Sequence, residues 1–159
     1  MIRSFDYSGV ITKQKEIDAI RKIDDLFLSD NWCKTVPKYQ TWSDLFRYKE
    51  LSIFADTFKY ACMNYDISGY NDFKFWCYMD YASNEKDRND LWHSHAENGL
   101  SGVYYLSNPE NVYTEFESFE VKDVKPFSWH IFPSNIRHRP PLTLTNAKRY
   151  TLAADYANR

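Results

Sequence analysis

From Phe73 to Tyr156 the chain is a succession of short runs rich in aromatic and β-branched residues, and this limits its fold more than any other feature. The runs are FKFWCYMDYA, LSGVYYLS, VYTEFESFEV, PFSWHIF and RYTLAADY, parted by turn-forming pieces such as SNPEN and the pair Pro140-Pro141. Two helical stripes precede them. In TKQKEIDAIRKIDDLFLSD, the residues Ile17, Ile20, Ile23 and Phe27 recur at helical spacing, with Thr12 placed to cap the N-terminus. A second helix is predicted from about Tyr48 to Tyr65, with Leu51, Phe54, Phe58, Ala61, Cys62 and Tyr65 on one stripe. The stretch between Trp32 and Arg47, broken by Pro37, reads as irregular. Short strands after helices predict an α+β domain, mainly β, whose sheet folds over on itself.

A length of 159 residues suits a single domain, with residues 1–70 as mainly helical support and 71–159 as the β core. Aromatic residues make up 18% and glycines number only four, the composition of a packed globule rather than a flexible chain. A net charge of −2 supplies no field for phosphate backbones or anionic membranes, which argues against a nucleic-acid partner. No apolar run is long enough to span a bilayer, and MIRSFDYSGV lacks a signal-peptide core, so a cytoplasmic protein is expected. Cys33, Cys62 and Cys77 are an odd, scattered set that reads as reduced thiols. Gly-rich phosphate loops, C-x-x-C pairs and a G-x-S-x-G elbow are absent, which removes nucleotide, thiol-redox and serine-hydrolase chemistry. No feature specifies an oligomer.

All four histidines, His93, His95, His130 and His138, fall within the strand-rich part. Imidazole is the commonest side-chain metal ligand, and two histidines with a carboxylate hold non-haem Fe(II) in oxygenases. On an extended strand His93, His95 and Glu97 share a face, so either His93-Ser94-His95 or His95-Ala96-Glu97 can grip one ion. In PFSWHIFPSNIRHRPP a strand, a polar turn and then His138 would return a third ligand from a neighbouring strand. His130, inside the apolar WHIF, reads as a buried structural histidine. Arg149 opens the last run and shares its face with Thr151; a guanidinium there is suited to bidentate capture of a carboxylate.

Together, LWHSHAENGLSGVYYLS, FPSNIRH and KRYTLAADY resemble the Fe(II)/2-oxoglutarate-dependent dioxygenase superfamily, in particular its small prolyl-hydroxylase-like and phage-encoded members. The resemblance spans roughly Phe73 to Tyr156. It implies a double-stranded β-helix, a jelly-roll or cupin-like barrel with the N-terminal helices packed outside. It implies metal ligation by His95, Glu97 and His138, or, because H-x-H often precedes SGVYYL in the small members, by His93, His95 and His138. Arg149 would bind the distal carboxylate of 2-oxoglutarate, helped by Tyr105 and Thr151, while Tyr78 and, more loosely, Tyr81 match the region that supplies a further tyrosine. The implied activity uses Fe(II), 2-oxoglutarate and O2 to hydroxylate a peptidyl side chain such as proline, or a small metabolite, with release of succinate and CO2. The other readings are a cupin-type metalloenzyme without 2-oxoglutarate, and a non-catalytic or virion-associated barrel. The charged segment Ser83–Asp90 is a candidate lid, and Trp76, Trp92 and Trp129 are candidate stacking surfaces for substrate.

Overall fold

The computed structural model describes residues 2–29, 34–35, 38–66, 69–82, 92–121 and 123–158. The candidate lid Ser83–Asp90 and Cys33 lie outside the described residues. The strands are β1 (Arg3–Asp6), β2 (Lys34–Thr35), β3 (Lys38–Gln40), β4 (Asp72–Asp80), β5 (Gly99–Ser107), β6 (Glu115–Phe116), β7 (Ser128–Pro133), β8 (His138–Arg139) and β9 (Arg149–Ala157). The helices are α1 (Lys13–Ser29) and α2 (Ser52–Tyr65), with two 3-10 turns, Leu45–Arg47 and Lys49–Leu51, leading into α2.

Seven strands form an antiparallel sheet in the order β1-β7-β5-β9-β4-β3-β2, and β6 pairs with β8 in a second, small sheet. An isolated bridge between His93 and His138 extends the small sheet. This mainly β architecture, a large sheet facing a minor one with helices outside, is the expected double-stranded β-helix.

β9 is buried on both faces, with only Tyr156 part-exposed, because its alternate side chains enter two different interiors. Tyr150, Leu152 and Ala154 of β9 join Phe75, Cys77 and Met79 of β4, Leu100 and Tyr104 of β5, and Trp129 and Ile131 of β7 in a core with Ile23 and Phe27 of α1 and Phe54, Phe58 and Ala61 of α2. The intervening residues point the other way: Tyr78, Thr151 and Tyr105 are register partners across β4, β9 and β5, as are Trp76, Ala153 and Val103. One face of the sheet is therefore the hydrophobic core and the other, carrying Asp80, Arg149, Thr151 and Asp155, is the barrel interior.

Specific contacts fix the helices. The Trp129 indole N–H donates to Phe54 O at 3.1 Å and Thr57 Oγ1 at 3.0 Å, Tyr104 donates to Glu16 at 2.8 Å, and Tyr150 donates to Asp24 at 2.5 Å. A Cβ at Gly102 would sit 2.6 Å from Phe58 Cε1 and 2.8 Å from Ile131 Cδ1, so only glycine lets α2 lie this close to β5. Thr12 accepts from Lys15 N at 3.2 Å, the expected cap.

Two expectations need correction. The stretch Trp32–Arg47 is not wholly irregular, since β2 and β3 extend the sheet beyond β4, and β1 adds to its opposite edge beside β7. VYTEFESFEV contributes only the two residues of β6. Its partner β8 stops at Arg139, where Pro140 and Pro141 remove the next backbone donors, while Asn108 clasps Val112 at 2.8 and 3.2 Å in a loop at its start.

Candidate metal centre

Backbone pairing brings the histidines together. His93 and His138 exchange N–H···O bonds of 3.0 and 2.8 Å, and His95 N donates to Ser134 O at 2.8 Å, fixing the His93–His95 stretch against the turn after β7. One ligand atom each from His93, His95 and His138 lies within 4.8 Å of the others. Ring centroids stand 5.4 Å (His93–His95), 4.6 Å (His93–His138) and 4.9 Å (His95–His138) apart. Glu97 does not join them: it is exposed, in a bend at Glu97-Asn98 that carries the chain into β5 and ends the strand parity shared by His93 and His95.

Hydrogen bonds fix the tautomers of two of these imidazoles. His138 Nδ1 lies 2.8 Å from Ile136 O, which can only accept, so Nδ1 carries the proton and Nε2 keeps its lone pair. His95 Nδ1 lies 2.7 Å from Asp155 Oδ1, and a carboxylate acceptor has the same consequence. Burial, and beyond it the neighbouring His95 and His93, hold His138 down to about 4, so its ring is neutral near pH 7.

The three histidines line a cavity of about 280 Å³ together with Trp76, Tyr78, Val103 and Thr114. An open depression lined by Ser43, Lys74 and Asp155 adjoins it, sharing Gln40, Trp76 and His95. Trp76 packs against His95 with centroids 5.8 Å apart, whereas Trp129 belongs to the core on the opposite face and Trp92 lies under the Arg139 guanidinium at 4.0 Å.

Away from the histidines, the barrel interior carries buried polar side chains. Arg149, 1% exposed, donates from Nε at 3.0 Å and Nη2 at 2.9 Å to the two oxygens of Asp80, its register partner, and lies 5.5 Å from the Tyr78 ring centre. Arg149 Nη1, Thr151 Oγ1 and Thr114 Oγ1 are buried without a hydrogen-bond partner among the described residues. Tyr105 stands beside them: its hydroxyl accepts from Thr114 N at 2.9 Å, and burial pushes it up to about 12. Tyr81 packs instead against the hydrophobic core. His130, held down to about 4 by burial, bonds Ser4 through Nδ1 at 2.7 Å and takes no part in the triad.

Several residues of this site were not singled out from the sequence, among them Thr114, Asp155 and Asp80. Asp155 carried a usable signal, since Arg149, Thr151 and Asp155 alternate along one face of the last strand. Asp80 carried none, because only the β4–β9 register sets it against Arg149.

No family model and no curated protein matches the sequence. Solved structures do match in fold. A viral collagen prolyl hydroxylase from Paramecium bursaria Chlorella virus-1, in complex with 2-oxoglutarate, aligns over 99% of this chain and 96% of its own at 12% identity and a TM-score of 0.61. A prolyl-4-hydroxylase from Pseudomonas putida aligns over 99% and 92% at 11% identity and 0.63. HygX from Streptomyces hygroscopicus, with nickel, 2-oxoglutarate and hygromycin B bound, aligns over 99% and 82% at 11% identity and 0.66. The fold is thus that of 2-oxoglutarate-dependent oxygenases.

Proposed function

We propose that this chain is an Fe(II)- and 2-oxoglutarate-dependent oxygenase, with His93, His95 and His138 as its metal ligands, that hydroxylates a peptidyl side chain or a small molecule. The observation that carries the reading is the convergence of three imidazoles on one cavity, inside a fold shared with such enzymes. The donor set fits a divalent first-row ion, since imidazole is a borderline ligand suited to iron, and Nε2 of His95 and of His138 is left with its lone pair.

The residues around the cavity also fit a small dicarboxylate. A buried guanidinium nitrogen and two buried hydroxyls without partners are donors in need of an acceptor, and an unmade buried hydrogen bond costs about 1–3 kcal/mol. Arg149 Nη1, Thr151 and Thr114 would take the distal carboxylate, with Tyr105 and Tyr78 walling the pocket. Asp80 clamps the guanidinium in place and offsets its charge, so shape and hydrogen bonding, more than net attraction, select the ligand. Val103, Phe132 and Ala153 line the cavity with apolar side chains that would help to exclude water. When bound, iron with 2-oxoglutarate and O2 supplies the oxidising chemistry, ending in succinate, CO2 and a hydroxylated product. Gln40, Ser43, Lys74 and Trp76, lining the adjoining open depression, would meet the prime substrate. The likeness to two prolyl hydroxylases and to an enzyme solved with an aminoglycoside supports a peptide or small-molecule substrate.

One observation favours a second reading, a cupin-type metalloenzyme without 2-oxoglutarate: Asp80 already occupies two faces of the Arg149 fork, and the triad holds no carboxylate. An anaerobic visible titration separates the two. The metal-free protein is titrated with Fe(II), then with 2-oxoglutarate, beside Arg149→Ala and Thr151→Val. A charge-transfer band that needs both additions and weakens in the variants supports the oxygenase. Fe(II) binding that 2-oxoglutarate leaves unchanged supports the cupin reading, and no Fe(II) binding at all leaves a non-catalytic barrel.

A further inference from the structure

Three neutral imidazoles bring no charge to a divalent ion, yet His95 is half-buried and His138 buried, so an ion held there would be partly withdrawn from water, where a lone dication is expensive. The carboxylate bonded to one of these imidazoles is Asp155, 4% exposed on β9. The register of the sheet sets it beside Ser101 on β5, so that its Oδ1 receives His95 Nδ1–H at 2.7 Å and the Ser101 hydroxyl at 2.5 Å. With its proton committed to Asp155, Ser101 accepts from Ser134 at 2.9 Å, and the backbone carbonyl of Ser134 receives His95 N–H. A closed ring of bonds thus runs from the His95 ring through two buried serines to the His95 backbone.

We infer that Asp155 is a positioning residue of the metal centre: it fixes the His95 tautomer, aims Nε2 at the ion, and supplies one bond away the negative charge that the triad lacks. The inference rests on the reading of His93, His95 and His138 as ligands. Hydrogen-bonded carboxylates raise the basicity of a ligating imidazole and lock its ring orientation, and losing one typically costs 10- to 100-fold in metal affinity. A purely structural Asp155 would bond the same atoms, but its neutral isostere would leave metal affinity unchanged.

The test uses the full chain freed of metal and titrated with Co(II) and Zn(II) in competition with a chromophoric chelator, as wild type, Asp155→Asn and His138→Ala. The expected result is a 10- to 100-fold weaker Kd for Asp155→Asn with unchanged circular dichroism, a shifted Co(II) ligand-field spectrum, and no measurable site in His138→Ala. Asp155→Asn binding within twofold of wild type, with His138→Ala inactive in binding, overturns the role of Asp155 and leaves the triad standing. If His138→Ala binds like wild type, the metal reading falls and the inference falls with it. Should Asp155→Asn not fold, nitrogen NMR of Zn(II)-loaded wild type decides: a His95 Nδ1 proton well downfield of that of His138, whose partner is a neutral carbonyl, supports the inference, and equal shifts overturn it.

Discussion

Asp80→Asn should destabilise the protein severely and at the same time make it more responsive to a dicarboxylate. The Asp80 and Arg149 side chains are 7% and 1% exposed, joined by two charge-assisted bonds of 3.0 and 2.9 Å. Removing the anion strands a buried guanidinium, a change worth about 3–5 kcal/mol. An asparagine oxygen restores one acceptor but no charge, which places the loss toward the lower end of that range. With each kcal/mol worth about 2–4 °C in a domain of this size, the melting temperature should fall by on the order of 10 °C. Arg149 then has one further donor left without an acceptor. A carboxylate arriving there recovers part of the loss, so saturating 2-oxoglutarate should raise the melting temperature of Asp80→Asn by more than it raises that of wild type. Calorimetry of metal-loaded protein with and without 2-oxoglutarate measures both effects. A variant that melts within about 2 °C of wild type would refute the buried-pair argument, and one that melts low but gains no more from 2-oxoglutarate than wild type would refute the placement of Arg149 at the carboxylate end.

Single alanine substitutions at His93, His95 and His138 should each abolish tight Fe(II) binding, while Glu97→Ala, at an exposed bend, should retain it within a factor of two; equilibrium dialysis with iron analysis distinguishes them. Folding stability should fall as pH drops from 7 to 5 in the metal-free protein. His130 and His138 are held down to about 4 in the fold but take up protons near 6.5 when unfolded, so the unfolded state binds more protons throughout that window. Each contributes a loss of about 2 kcal/mol between those pH values, most of the remainder following down to pH 4, and urea unfolding of His130→Phe should show about half the wild-type drop. Gly102→Ala should cost about 1–3 kcal/mol through a clash with Phe58 and Ile131, read as a lower urea midpoint with an unchanged slope.

Period-two alternation made much of the site legible. A strand puts Arg149 and Thr151 on one face whatever surrounds it, and the same local rule set His93 beside His95. The helix stripes were equally local: Ile23, Phe27, Leu51, Phe54 and Phe58 are core because spacing alone puts them on one side. Turn chemistry explains where reading failed. VYTEFESFEV has strand-forming residues but too short a partner, and β1 to β3 form because β7 and β4 offer free edges that no local pattern reveals.

The sequence by itself therefore determined the kinds of element, the face each side chain takes along a strand, and the stock of imidazole and guanidinium groups. Tertiary structure decided which of them meet. The bend at Glu97-Asn98 and the His93–His138 pairing brought three histidines together and left Glu97 apart. The β4–β9 and β5–β9 registers gave Arg149 to Asp80 and Asp155 to the neighbourhood of His95. Alternation is a property of one strand and is written in consecutive residues, whereas convergence depends on register between strands far apart in the chain, where a slip of one residue turns every side chain to the other face.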